Sequence, residues 1–227
     1  MVNLSNITKD GKALYLAYDQ GMEHGTSDFD DENVDPNYIL GIAIEGEYNA
    51  IIFQKGVAEK YYDPALKSKI CTVSEALELG ASAVGYTVYV GSAFESKMTS
   101  EFSQIVRDAH RENMPVIGWM YPRGRSVIDK DERELIAYAA RMGLELGADI
   151  VKVKYPGSLE ALKWVVESAG KTKVVVSGGV KEEEETFLGV VRTVMKAGAA
   201  GMAVGRNVWQ SKDPIGMTEK LKEIIFK

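Results

Sequence analysis

The sequence predicts an α/β protein built as a (β/α)8 barrel, with the third strand shortened or missing. Three observations lead there. Strand-like apolar runs alternate with helix-like amphipathic runs along the chain. One joint recurs three times, as Glu78-Leu79-Gly80-Ala81, Glu145-Leu146-Gly147-Ala148 and Lys196-Ala197-Gly198-Ala199, each reading as helix end, glycine turn and strand start. The stretch Asp149-Ile150-Val151-Lys152-Val153-Lys154-Tyr155 alternates aliphatic residues with lysines and lies between two helical patterns. In a parallel sheet covered by helices, Val151 and Val153 face the helices, and Lys152 and Lys154 are expected to point together to the other side, the barrel interior. A doubly wound open sheet is the alternative arrangement of the same elements.

The elements follow in order. The first strand is Ala13 to Asp19, with Tyr15, Ala17 and Asp19 on one face, and it ends in Asp19-Gln20-Gly21. A helix opens at Pro36, a residue suited to a first helical position. The second strand is Ala50 to Gln54, and Ala65 to Ile70 reads as a short strand or a loop. Thr72-Val73-Ser74-Glu75 has capping-box spacing and opens a short helix that Gly80 stops. Strand Ala83 to Val90 precedes an amphipathic helix with Phe102, Ile105, Val106 and Ala109 on one side. Strand Val116 to Tyr121 precedes a helix carrying Leu135, Ile136, Ala139 and Met142. After the lysine strand come a helix from Ser158, strand Lys173 to Val176 running into Ser177-Gly178-Gly179, and a helix with Phe187, Val191 and Val194. Strand Met202 to Val204 then runs into Gly205-Arg206-Asn207, and the last helix starts at Asp213-Pro214.

The 227 residues suit one domain, 1–227, with no linker or low-complexity segment. A net charge of −6 argues against a nucleic-acid or acidic-membrane surface. The single cysteine, Cys71, excludes an intramolecular disulfide and fits a reducing cytoplasm. Residues 1–11 lack the apolar core of a signal peptide, and no apolar run reaches about 18 residues. Two histidines and one cysteine leave too few ligands for a zinc site built on those residues.

Active sites of β/α barrels lie at the C-terminal ends of the strands. Those ends read Asp19, Gln54, Trp119 and Tyr121, Lys152 and Lys154, Ser177 with Gly178 and Gly179, and Gly205 with Arg206. Glycine-rich turns after the last two strands are where barrels bind phosphate through backbone N–H groups, and Arg206 adds a charged donor. A lysine inside the barrel beside such a site points to Schiff-base chemistry. The attacking amine must be neutral, which desolvation and a neighbouring cation both favour; the interior and Lys154 are expected to supply them. Tyr121 is a candidate acid/base, or a barrel-filling aromatic. Asp19 is a candidate partner of the lysine, or a turn residue before Gly21.

In order along the chain, Asp19-Gln20-Gly21-Met22-Glu23-His24-Gly25, Tyr121-Pro122-Arg123-Gly124, Lys152-Val153-Lys154-Tyr155, Ser177-Gly178-Gly179 and Ala203-Val204-Gly205-Arg206-Asn207 resemble the archaeal-type class I fructose-bisphosphate aldolases. The resemblance implies a TIM barrel and a cofactor-free, metal-free Schiff-base lyase of glycolysis and gluconeogenesis. Such an enzyme reversibly cleaves fructose 1,6-bisphosphate to dihydroxyacetone phosphate and glyceraldehyde 3-phosphate. By position, it makes Lys152 the Schiff-base lysine, Tyr121 the proton donor and Asp19 the acid of the first strand. Ser177, Gly178, Gly179, Gly205 and Arg206 become the sugar-phosphate site. Trp119, Lys154 and Ser177 resemble the sugar-bisphosphate branch more than the branch that makes an aromatic-pathway precursor, 2-amino-3,7-dideoxy-D-threo-hept-6-ulosonate, by lysine-dependent transaldol transfer. A homo-oligomer with a sugar phosphate as its only other partner is implied. The chain departs from the pattern at Val180, where proline is usual. It also departs before Cys71, where it is about twenty residues short of the expected third strand and hairpin. The shortfall keeps a non-catalytic, sugar-phosphate-binding barrel as a further alternative.

Overall fold

The computed structural model describes residues 2–18, 25–53, 66–67, 69 and 71–227. Among the described residues seven parallel strands alternate with helices: β1 (Ala13–Tyr18), α1 (Pro36–Glu45), β2 (Ala50–Phe53), α2 (Val73–Glu78), β3 (Val84–Val90), α3 (Glu95–Arg111), β4 (Val116–Pro122), α4 (Glu132–Leu146), β5 (Ile150–Val153), α5 (Leu159–Ser168), β6 (Lys173–Ser177), α6 (Glu184–Lys196), β7 (Gly201–Val204), the single turn α7 (Arg206–Trp209) and α8 (Pro214–Phe226). The strands form one sheet in the order β2-β1-β7-β6-β5-β4-β3. Apart from the β7–β1 closure, neighbours in the sheet are neighbours in sequence. That is barrel order, and it has none of the reversal that marks a doubly wound sheet.

Among the described residues the sheet has two edges, β2 and β3. The doubtful strand at 65–70 falls there. Leu66, Lys67 and Lys69 carry no strand assignment, and Ala65, Ser68 and Ile70 lie outside the described residues. A cavity of about 750 Å³ lies along the same side, lined by Tyr15, Ile52, Val73, Gly85, Ile117 and Trp119 among others.

The two faces of the sheet separate by residue parity, as the pleat requires. Leu14, Leu16, Val116, Met120, Val151, Val153, Val174, Val176, Met202 and Val204 pack in one core with the helices. Ala13, Tyr15, Ala17, Ile52, Ile117, Ile150, Val175 and Ala203 form a second core, the interior, with Trp119 against it. Lys152 has the parity of this interior set and is 5% exposed.

Local signals place the helices. Asp35 caps α1 ahead of Pro36, Thr72 and Glu75 form the capping box of α2, Ser158 caps α5, and Asp213 caps α8. The three recurrent joints are left-handed at Gly80, Gly147 and Gly198, with φ of 77°, 92° and 87°.

Three strand ends differ from expectation, among them β6, which runs one residue past Val176 to Ser177. β4 runs one residue further, to Pro122, in register with Val90. β5 stops at Val153, so Lys154 is not on the strand. The cause is Tyr155-Pro156-Gly157: proline has no N–H for the ladder, and Gly157 turns the chain at φ 91°. Lys154 is 52% exposed and pairs with Glu132 at 3.6 Å. The expectation that it shares the interior with Lys152 is therefore corrected. Asp19 and Gln54, the expected ends of the first two strands, lie outside the described residues.

Gly85 sets the position of Trp119. A Cβ on Gly85 would fall 1.3 Å from the indole, so the ring lies flat across the neighbouring strand only because that site is glycine. Gly85→Ala is expected to displace the ring and cost about 1–3 kcal/mol in urea unfolding, with a shift in tryptophan fluorescence. An unchanged unfolding midpoint and spectrum would show that Trp119 is not held by this contact.

Candidate active site

β4 and β5 bring the central residues together. Trp119 and Lys152 are register partners, and Lys152 Nζ lies 5.7 Å from the centre of the indole. Tyr121 is two residues further along β4, opposite Tyr89 of β3. The amine is thus set in an apolar wall, with Val175 of β6 as its partner on the other side. An aromatic face beside an amine stabilises its charged form and also screens it from water.

Three neutral polar groups on β1, β3 and β4 are buried with no hydrogen-bond partner among the described residues: the hydroxyls of Tyr15 and Tyr89 and the indole N–H of Trp119. Burial pushes the Tyr15 phenol up, well above the ordinary tyrosine range, so it stays protonated. Arg123 lies 5.4 Å over the Tyr89 ring, at the same end of the sheet.

The two glycine turns are joined to one another. Gly178 N–H donates to the carbonyl of Ala203 at 2.8 Å. Here β6 and β7 approach closely: a Cβ on Gly178 would lie 3.2 Å from Val204 Cα. The main tie is Asn207, which is 3% exposed. Its Nδ2 donates to the carbonyls of Gly178 (2.9 Å) and Val180 (2.8 Å), and its Oδ1 accepts from the N–H of Glu182 (2.8 Å). Arg206 Nη2 donates to the carbonyl of Gly179 at 3.1 Å, and its Nη1 to Asp28 at 3.2 Å. Ser177 ends β6 in register with Ala203.

The structure therefore gathers Trp119, Tyr121 and Lys152 in one group, and Ser177, Gly178, Gly179, Gly205 and Arg206 in another on the next two strands. Lys154 stands apart at the surface, and Asp19 lies outside the described residues. Sequence reasoning missed Asn207 and Asp28. Asn207 carried a signal, an amide between Arg206 and the apolar Val208-Trp209, a pattern suited to a buried hydrogen-bonding residue. Asp28 carried none within its acidic loop. Among the described residues no three His, Cys, Asp or Glu side chains are grouped to hold a metal ion.

Asn207→Ala is expected to lower stability by about 1–3 kcal/mol in urea unfolding, because it strips donors from two carbonyls and the acceptor from one N–H. Asn207→Asp should cost at least as much, since a carboxylate cannot donate to those carbonyls. An aspartate variant as stable as the parent would contradict the assigned hydrogen bonds.

Residues 58–211 match the model of the DeoC/LacD family aldolases. The chain is 46% identical to fructose-bisphosphate aldolase class 1 of Thermoproteus tenax, over 95% of this chain and 90% of that one. It is 42% identical to the protein of the same name from Halobacterium salinarum, over 98% and 94%. The first alignment spans 237 positions while 95% of 227 residues take part, so about twenty positions have no residue of this chain. Among solved structures it is similar to an archaeal fructose-1,6-bisphosphate aldolase whose catalytic lysine is covalently bound to the carbinolamine intermediate of the substrate, with a TM-score of 0.91 at 43% identity over 99% of this chain and 98% of that one. The chain belongs to the DeoC/LacD aldolase family.

Proposed function

We propose that this protein is a class I aldolase that reversibly cleaves fructose 1,6-bisphosphate to dihydroxyacetone phosphate and glyceraldehyde 3-phosphate through a Schiff base on Lys152. The observation that carries the reading is the place of Lys152, buried on the interior face of β5 against Trp119, with two braced glycine turns on the next two strands. The kinship with lysine-dependent aldolases supports it. Two lysines are buried among the described residues, Lys67 and Lys152, and only Lys152 lies on a strand of the sheet.

In this reading the neutral amine of Lys152 adds to the C2 carbonyl to give a carbinolamine, and loss of water leaves a protonated imine. The imine draws electrons from the C3–C4 bond. When the C4 hydroxyl loses its proton that bond breaks, the aldehyde departs, and the electron pair remains as an enamine. Protonation at C3 and addition of water release the ketone and restore the amine. Tyr121 is the acid/base for these transfers, and Asp19 orients the lysine. Ser177, Gly178, Gly179, Gly205 and Arg206 hold a phosphate, and Trp119 walls the amine from water. The steps need no metal or organic cofactor. We read residues 1–227 as one domain acting in the cytoplasm in glycolysis and gluconeogenesis. A homo-oligomer is part of the same reading. Among the described residues no helix is long and apolar enough to cross a membrane.

Borohydride trapping with dihydroxyacetone phosphate, followed by peptide mass spectrometry, should place the adduct on Lys152 and not on Lys67. Lys152→Met should lose both adduct and cleavage while remaining folded. Absence of any adduct on the parent protein would instead favour a sugar-phosphate-binding barrel. Tyr121→Phe should still be trapped on Lys152 while turnover falls by about 10²–10⁴-fold, the usual worth of a positioned acid/base. Turnover within a few-fold of the parent would move that role to another group.

A further inference from the structure

The Arg206 guanidinium is held from two sides. Nη1 donates to Asp28 Oδ2 at 3.2 Å, and Nη2 to the carbonyl of Gly179 at 3.1 Å. Asp28 is far away in sequence, yet the two side chains are only 21% and 16% exposed. The segment carrying Asp28 is itself fixed. Gln210 Nε2 donates to the Asp28 carbonyl at 2.8 Å, the Phe29 ring packs 6.2 Å from Trp209, and the Tyr18 hydroxyl donates to the carbonyl of Asn33 at 2.7 Å. Asp28 is thus presented to Arg206 from a docked segment, by the same residues that follow Arg206 in the chain.

The Nε–H of Arg206 is buried with no hydrogen-bond partner among the described residues. Among the described residues the guanidinium is therefore held through its two terminal nitrogens alone, by Asp28 and Gly179. Each terminal nitrogen still has a second N–H, and the contact to Gly179 lies at the open surface of the turn. Asp28 also offsets the positive charge that would draw a phosphate in. What it contributes is therefore geometry rather than attraction.

We propose that Asp28 is a positioning residue of the phosphate site: its carboxylate sets the Arg206 guanidinium against the Ser177–Gly179 turn, so that the substrate phosphate meets a pre-oriented donor. This rests on the reading of Arg206 as a phosphate ligand.

Steady-state cleavage of fructose 1,6-bisphosphate by the Asp28 and Arg206 variants of the full chain tests it. Asp28→Ala should raise KM about ten-fold with kcat within about two-fold. Asp28→Asn keeps an acceptor for Nη1 without the charge, and its KM should stay near the parent value. Asp28→Glu keeps the charge but moves the carboxylate, and it should raise KM. These two variants decide the matter even if the alanine variant does not fold. In an Arg206→Ala background, Asp28→Ala should add nothing to KM. The same KM increase in both backgrounds would show independent loosening of the segment and overturn the proposal, as would a normal KM for Asp28→Ala or for Asp28→Glu. If Arg206→Ala itself leaves KM unchanged, the phosphate reading fails and this one with it. If Arg206→Ala raises KM and Asp28→Ala does not, only the role of Asp28 falls.

Discussion

A strand in a helix-covered, curled parallel sheet has two dry faces, and the chemistry of this protein depends on that constraint. On β5 the pleat sends Val151 and Val153 into the helix core and Ile150 and Lys152 into the interior. Ile150 is the expected occupant of such a place; Lys152 is not. An ammonium ion there loses its water and costs several kcal/mol unless the site compensates. Among the described residues, the neighbours of Lys152 include the Trp119 indole and Val175 of the partner strand. A lysine placed at that cost suits the nucleophile of the proposed Schiff-base step.

The glycine turns after β6 and β7 obey a different logic. Glycine there allows close approach and a left-handed turn, but a chain that can bend anywhere is not yet a site. Asn207 removes that freedom. One buried amide satisfies the carbonyls on both sides of Gly179 and the N–H of Glu182, so the first turn is fixed by a residue of the second. A loop fixed in this way meets its ligand with little ordering cost. Because Trp209 Nε1 also donates to the carbonyl of Ala17 at 3.1 Å, the short helix that carries Asn207 is pinned to β1 as well.

Features written in short-range chemistry were legible in the sequence. The capping box at Thr72, the proline start of α1, the three glycine joints and the alternation on β5 each depend on a few adjacent residues. What failed depended on something further off. Lys154 was paired with Lys152 by parity, but parity holds only while the strand lasts, and Pro156 ends it. The roles of Asn207 and Asp28 needed the fold, because their partners come from other turns; Asp28 and Arg206 meet only where the segment after β1 docks on α7. The doubtful reading at 65–70 came from a stretch with neither clear periodicity nor turn residues, in a chain with about twenty positions fewer than its relative has aligned.

The order of the strands sets which parts of the site stand near a sheet edge. β4, β5, β6 and β7 are four consecutive strands, each paired on both sides, and they carry Trp119, Tyr121, Lys152, Ser177 and the turn to Arg206. Among the described residues the edges are β2 and β3. On that side Trp119 borders the cavity and lies across Gly85, and Tyr121 stands opposite Tyr89 of β3. The glycine turns sit on the far side of Lys152 and are braced by β7 and α7. They stand on strands paired on both sides, whereas the aromatic wall beside Lys152 borders an edge strand of the described sheet.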